Sequence, residues 1–397
     1  MSELLKGVRV LDASTVIAAP FAAALMGDFG AEVIKVEMPG SGDPLRTLGP
    51  YYEKKPMRWA TMGRNKKSIT LDLRTPKGKE LFLQLAAKSD VLIENFRTGT
   101  LDKWGLDMET LHKANPKLVV TRVTGYGQTG PYAPIAGFGT PATAFSGMTY
   151  LTGYKDRPPV SPPFSLVDFV SGLYAVMGAM MALYHRDVLH GEAQEIDVSL
   201  YESIFRMLEI PVADFHKNNN IRERTPGLSG TSSPGGTYET KDGKWVVLVC
   251  STDRTWEYCA KAMGREDLIG TPEYGTMRDR VANNDALDNI IKDWIHGMEY
   301  ARLKEVCDSE GVPLSLIYSI EDIFNDPHYA AREDILEMPD KNLGSIKMPG
   351  IVPKFSKTPG SVRWTGPDLG EHNDEVYMSV LGLDEAAVAS LKEEGII

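Results

Sequence analysis

The sequence predicts an α/β protein in which a parallel sheet is covered by helices, joined to a smaller α+β domain. Three observations carry this. Over the first 130 residues, short β-rich runs alternate with helical runs, the pattern of strands joined by crossover helices. A polar stretch rich in Gly, Ser and Pro at 217–236, KNNNIRERTPGLSGTSSPGG, then breaks the composition. Finally, 397 residues exceed what a single hydrophobic core usually organises. The expected organisation is a large α/β domain over 1–216, completed by 330–397, and a small α+β domain over 217–329 that includes the linker.

Strands are expected at Val8 to Leu11, Glu32 to Val36, Ser68 to Leu71, Val91 to Asn95 and Leu118 to Thr124. Between them, helices are expected at Pro20 to Phe29, Lys77 to Lys88 and Met108 to Ala114. This gives the large domain a Rossmann-like plan without the matching cofactor motif. The first strand-to-helix turn, ASTVIAAPFAAA, lacks the glycines that let a backbone approach a pyrophosphate, so Glu37 at the end of the second strand implies no ribose contact. Gly40, Ser41, Gly42 and Asp43 form a turn rather than a phosphate loop, since no Gly-Lys-Ser/Thr follows.

After the polar break, which reads either as a linker or as a loop over a site, GTYETKDGKWVVLVC reads as a hairpin around Asp242 and Gly243. Helical runs continue to Phe324. From Met348 to Trp364 the chain is Pro-rich and extended, and a last helix is expected at Glu385 to Glu394.

With 43 basic against 54 acidic residues, a net of -11, the chain is not built to hold nucleic acid or an anionic membrane as its main partner. Cys250, Cys259 and Cys307 fit neither a zinc site nor a disulfide framework and read as free thiols, and the seven histidines have no metal-ligand spacing. The N-terminal MSELLKGVRVLDAS has no apolar core of a signal peptide, so a cytoplasmic protein is expected.

Asp168 stands at the head of an uncharged segment that runs from Phe169 to Tyr184. Apolar or small residues on every side make the segment a helix buried all round, and sixteen residues fall short of the roughly 20 that a membrane span needs. Asp168 is either the N-cap of that helix or a chemical group. A carboxylate held by backbone amides stays ionised at neutral pH, which suits a nucleophile or base. Pro158, Pro159, Pro162 and Pro163 give it a stiff approach.

Read together, GVRVLDAS, DFGAEVIKVE, NKKSITLDL, TPKGKELF, DVLIENFRTGTLDKWGL, NPKLVVTRVTGYGQTGPY, AFSG, the Asp168 segment, GEAQEIDVSLYES and LGEHNDEV resemble the class III CoA-transferases, the formyl-CoA and carnitine CoA-transferase family, from end to end. The resemblance implies that Asp168 is the catalytic nucleophile. It would take CoA from a donor acyl-CoA, with succinyl-CoA the preferred candidate, as an aspartyl-CoA thioester and pass it to a carboxylic acid. No permanently bound cofactor is implied, because the CoA thioester is itself a substrate.

For CoA binding, the resemblance carries over Val16, Leu71, Arg74, Asn95, Phe96, Thr100, Lys103 and Trp104, with apolar faces for the nucleotide and cations for its phosphates. Met38 departs from the arginine of some relatives. Phe138, Gly139, Tyr154 and Arg157 are expected at an apolar acceptor pocket, and Ser232 to Gly236, with Ser233, Gly235 and Gly236, at a glycine-rich lid. The resemblance also implies an interlocked homodimer, with heteromeric relatives leaving a second subunit open. α-Methylacyl-CoA racemases or intramolecular acyl-CoA isomerases of the same fold are the alternative, but the racemases pair the aspartate with a histidine near the position of Phe138.

Overall fold

Six short runs rich in β-branched residues form one parallel sheet: β1 (Arg9–Asp12), β2 (Glu32–Glu37), β3 (Lys66–Thr70), β4 (Val91–Glu94), β5 (Val119–Thr124) and β6 (Glu195–Ser199). Their order across the sheet is β3-β2-β1-β4-β5-β6. The computed structural model describes residues 3–225 and 232–397. The chain divides into one unit of residues 1–149, 161–220 and 330–397, which holds this sheet, and a second of 150–160 and 221–329. Residues 150–160, placed by the sequence in the large domain, fall in the second unit.

Alternation along the strands sends side chains to opposite faces, and both faces are covered. Val10, Val33 and Ile93 enter one core with the Ala18–Asp28 and Leu166–Asp187 helices; Leu11, Ile34 and Leu92 enter the other with Leu81, Phe82 and the C-terminal Val376, Tyr377 and Leu391. The C-terminal segment also caps the edge strand. Asn373 Oδ1 accepts from the Thr70 amide at 2.8 Å, and the Tyr377 hydroxyl donates to the Thr70 carbonyl at 2.7 Å, which closes an edge otherwise open to pairing.

The Leu166–Asp187 helix differs from its sequence reading in length and burial. It has 22 residues, because Leu166, Val167, Asp168, His185, Arg186 and Asp187 are helical rather than flanking, and by length and composition alone it is sufficient to cross a membrane. Nor is it buried all round. Val170, Ala175, Ala179 and Ala182 pack inward, while Leu173, Met177, Met181 and Tyr184, three and four residues apart, form an exposed apolar stripe. Gly172 permits the close crossing on the inner side, since a Cβ there would lie 2.7 Å from the Ala18 carbonyl oxygen.

In the second unit, strands Gly235–Glu239, Trp245–Val249 and Leu314–Leu316 form an antiparallel sheet, with the turn at Asp242 and Gly243 joining the first two. Its core is made by Trp256, Leu287, Ile291, Ile295 and Leu303 with the three cysteines, all buried free thiols.

Candidate active site

Strand order reverses between β1 and β4, and an open α/β sheet leaves a crevice at the carboxyl ends of such a pair. The loops after these two strands are locked to each other there. Thr15 N–H donates to Asn95 Oδ1 and Asn95 Nδ2 donates to the Thr15 carbonyl, both at 2.8 Å. Next to it, Val16 adopts φ 68°, a left-handed conformation that a β-branched residue strongly resists. Its amide is held by the Asp43 carboxylate, at 3.2 and 3.3 Å from the two oxygens.

Asp43 belongs to a buried charge cluster beneath this loop. Lys35 pairs with Asp43 at 3.2 Å and with Asp12 at 3.7 Å, and it donates to the Ser14 carbonyl. Lys66 pairs with Asp12 at 2.8 Å and donates to the Pro20 carbonyl at 2.7 Å. Burial works against each charge. Even so, Lys35 and Lys66 hold the Asp12 carboxyl below its usual range, and Asp12 and Asp43 hold the Lys35 ammonium above its own. Lys66 is pushed down by burial and by the like charge of Lys35.

Asp168 comes to the same place from the Leu166–Asp187 helix. It is not the N-cap: Ser165 holds that position, and Asp168 is the third helical residue, still within reach of the positive end of the helix dipole. Burial raises its pKa from 3.8 to about 6, with its own backbone N–H opposing only in part. Ionisation at neutral pH therefore survives despite burial rather than through a cap, and no cation pairs with the carboxylate among the described residues. Gly139 makes room for it, because a methyl group there would overlap Asp168 Oδ2.

Asp168 lines two cavities. The larger, about 560 Å³, is walled by Val16, Ile17, Arg58, Phe138, Gly139, Thr140, Thr143 and the 161–169 segment. The second, about 240 Å³, adds Asn95, Phe96, Arg97 and the Gly125 and Gly137 backbones. A third, about 190 Å³, joins Leu71, Phe96, Trp104 and Met38 over the charge cluster, with the Phe96 and Trp104 rings edge to face at 5.1 Å. Phe96 and Thr15 belong to both the second and third cavities.

The structure thus brings together Val16, Asn95, Phe96, Phe138, Gly139 and Asp168, and joins Leu71 and Trp104 to them through Phe96. Arg74, Thr100 and Lys103 line none of these cavities; Arg74 is turned onto Asp72, at 2.8 and 2.7 Å from its two carboxylate oxygens. The wall around Asp168 is less apolar than the sequence suggested, since Arg58, Thr140, Ser161 and Ser165 contribute polar groups.

Tyr154, Arg157, Ser233, Gly235 and Gly236 belong to the second unit. There Arg157 lies over the Tyr154 ring at 5.1 Å. Gly235 and Gly236 are strand residues paired with Val249 and Leu248, not part of an open glycine loop. Ser233 is tethered by its hydroxyl to Asn284 at 2.9 Å, and buried Arg280 donates to its carbonyl at 2.8 Å. Residues 226–231 of the 217–236 stretch lie outside the described residues.

Sequence reasoning missed the charge cluster and Arg58. The cluster left a signal at Lys35, which interrupts EVIKVE, a run that otherwise reads as a central parallel strand, where a lysine needs a buried partner; Lys66, the first residue of the edge strand β3, left none. Arg58 left none, because its place depends on how the residues beside it pack.

Two expected results follow from this geometry. A reaction that needs the ionised Asp168 carboxylate should lose kcat/KM about tenfold per pH unit below about pH 6 and level off above it; a pH–rate profile checks this. Gly139→Ala should displace the Asp168 carboxylate and, for a reaction that uses it, cut kcat about 100-fold with little loss of stability, since a shift of about 1 Å in a reacting group costs that much; steady-state kinetics and a thermal melt separate the two effects.

The description "CoA-transferase family III" belongs to a family model that matches residues 5–373. Succinyl-CoA--L-malate CoA-transferase beta subunit of Chloroflexus aurantiacus is 43% identical over 397 residues, covering 99% of this chain and 98% of that protein. Succinyl-CoA--D-citramalate CoA-transferase of the same organism is 41% identical over 394 residues, again covering 99% and 98%. A crystal structure of a CAIB/BAIF family protein from Brucella suis superposes with a TM-score of 0.82 at 30% identity, covering 96% of this chain and 100% of that one.

Proposed function

The chain belongs to CoA-transferase family III, and on that premise we propose that it moves CoA from succinyl-CoA to a short dicarboxylic acid through a thioester on Asp168. The observation that carries this reading is the Asp168 carboxylate: partly buried, without a paired cation among the described residues, ionised at neutral pH and shared by two cavities. A carboxylate freed of counter-ions and of most of its water is a stronger nucleophile than one in solution.

The chemistry exchanges one thioester for another, so no external energy source is needed. The Asp168 carboxylate attacks the donor thioester carbonyl, and the C–S bond breaks to give a mixed anhydride and CoA thiolate. The thiolate attacks the aspartyl carbonyl, and the departing donor acid carries away the anhydride oxygen. The acceptor carboxylate then attacks the aspartyl-CoA thioester, and the released thiolate attacks the acceptor carbonyl, which restores Asp168 as a carboxylate.

Leu71, Phe96 and Trp104 offer apolar surface for CoA, and the second cavity leads from Phe96 to Asp168. A two-base racemase receives no support, because no histidine lines either cavity around Asp168. The exposed stripe of Leu173, Met177, Met181 and Tyr184 supports a homodimer in which a second copy covers it.

Incubation with succinyl-CoA followed by hydroxylamine or borohydride, then peptide mapping, tests the intermediate. A modified Asp168 peptide is the expected product, and modification elsewhere, or none, would sink the proposal.

A further inference from the structure

On the wall of the larger cavity two side chains carry charge, Asp168 and Arg58. Arg58 opens the short Arg58–Met62 helix, which Trp59 anchors. The Trp59 indole is buried with Ile17 and Leu45, its Nε1–H donates to the Pro367 carbonyl at 2.7 Å, and the Arg46 guanidinium lies 3.9 Å over its ring. Ile17, from the same packed group, also lines the cavity, so the anchor and the cavity wall share a side chain.

Among the described residues the charge of Arg58 has no counterpart. Its Nε–H donates to the Gly49 carbonyl at 3.1 Å, and among the described residues no carboxylate pairs with its guanidinium. Other partly buried or buried arginines do hold a carboxylate: Arg46 holds Glu37, Arg64 holds Asp28 and Arg122 holds Glu94. A partly buried guanidinium without a counter-ion on a cavity wall is a site for an anion, and its planar fork matches a carboxylate.

We propose that Arg58 binds the distal carboxylate of the acid, so that the larger cavity selects dicarboxylic acids. One carboxylate of the substrate reacts at Asp168 while the other rests on the guanidinium. The inference rests on the reading that Asp168 carries CoA, and it adds what that reading lacks, the group that tells a dicarboxylate from a monocarboxylate. Donor and acceptor acids occupy the site in turn, so one cation serves both halves of the exchange. A monocarboxylate of the same length would place a methyl group against a charge that then has no partner, which disfavours it.

The test compares succinate with butyrate, acids of equal length that differ in the distal carboxylate, as acceptors from one acyl-CoA donor. The wild-type enzyme should show a higher kcat/KM for succinate. Arg58→Gln should reduce the succinate-to-butyrate ratio at least tenfold, mainly through KM for succinate. If Arg58→Gln does not fold, Arg58→Lys carries the test, because it keeps the charge but loses the fork, and the ratio should fall at least threefold. An unchanged ratio in the folded variant, or a wild-type enzyme indifferent between the two acids, would overturn the assignment. Trapping the adduct in parallel separates the two readings. No adduct on Asp168 in the wild type removes the parent reading, whereas an adduct with an unchanged ratio removes only the role of Arg58.

Discussion

Replacing Asp168 by Asn is expected to lower kcat at least about 10⁴-fold while raising stability at neutral pH. The amide matches the carboxylate in shape, so the two cavities and the Gly139 contact persist, and binding of CoA should change little. What is lost, on the proposed function, is the nucleophile. The gain in stability has a definite sign. Burial raises the folded-state pKa from 3.8 to about 6, so folding favours the protonated carboxyl. That contribution is fully present below about pH 4 and is lost as pH rises through 6. The asparagine variant carries no such loss. It should therefore match the wild type near pH 4 and exceed it by on the order of 2–3 kcal/mol at pH 8. Urea unfolding at several pH values measures the difference, and CoA exchange measures the activity. A variant that is inactive and also less stable at pH 8 would assign Asp168 a structural role instead.

The sheet was legible because parallel strands are buried on both faces and must be written in Val, Ile and Leu. VRVLD, EVIKVE and VLIEN leave few other readings. The sixth strand, EIDVS, was missed for the same reason reversed: it is an edge, with Glu195 and Asp197 exposed, so its pattern is half polar. Asp168 stood out as the one charge in an uncharged run, but its position in the helix turned on a boundary of three residues, which propensity does not resolve. Contacts that depend on distant chain were not legible. Nothing near Ser68 announces that Glu37, Arg46 and the Gly370 amide converge on its hydroxyl, and nothing near Arg58 announces that Pro367 fixes its neighbour. The left-handed Val16 is a related case, since its local sequence argues against the conformation and only the Asp43 carboxylate, brought by the next loop, sustains it.

The cluster beneath that loop makes Asp12→Asn the substitution with the largest expected cost in stability, about 3–5 kcal/mol at pH 7. Among the described residues Asp12 is the one anion that Lys66 touches, whereas Lys35 keeps Asp43 at 3.2 Å. Neutralising Asp12 leaves Lys66 fully buried beside a like charge, with the Pro20 carbonyl as its remaining acceptor. The pH dependence follows from Lys66. Burial already holds its pKa below 10.5, and loss of Asp12 lowers it further, so the folded state penalises the charged amine. That penalty is full at low pH and fades as pH rises towards 10.5, where the unfolded chain also loses the proton. Denaturant unfolding of the variant should therefore show a deficit that shrinks between pH 7 and pH 10. Lys66→Met added to Asp12→Asn removes the stranded cation and should restore a large part of the loss, giving a coupling of at least about 1 kcal/mol in a double-mutant cycle. Additive single losses would mean that the two charges do not act on each other. The Thr15–Val16 loop would then owe its geometry to Asn95 and Asp43 alone.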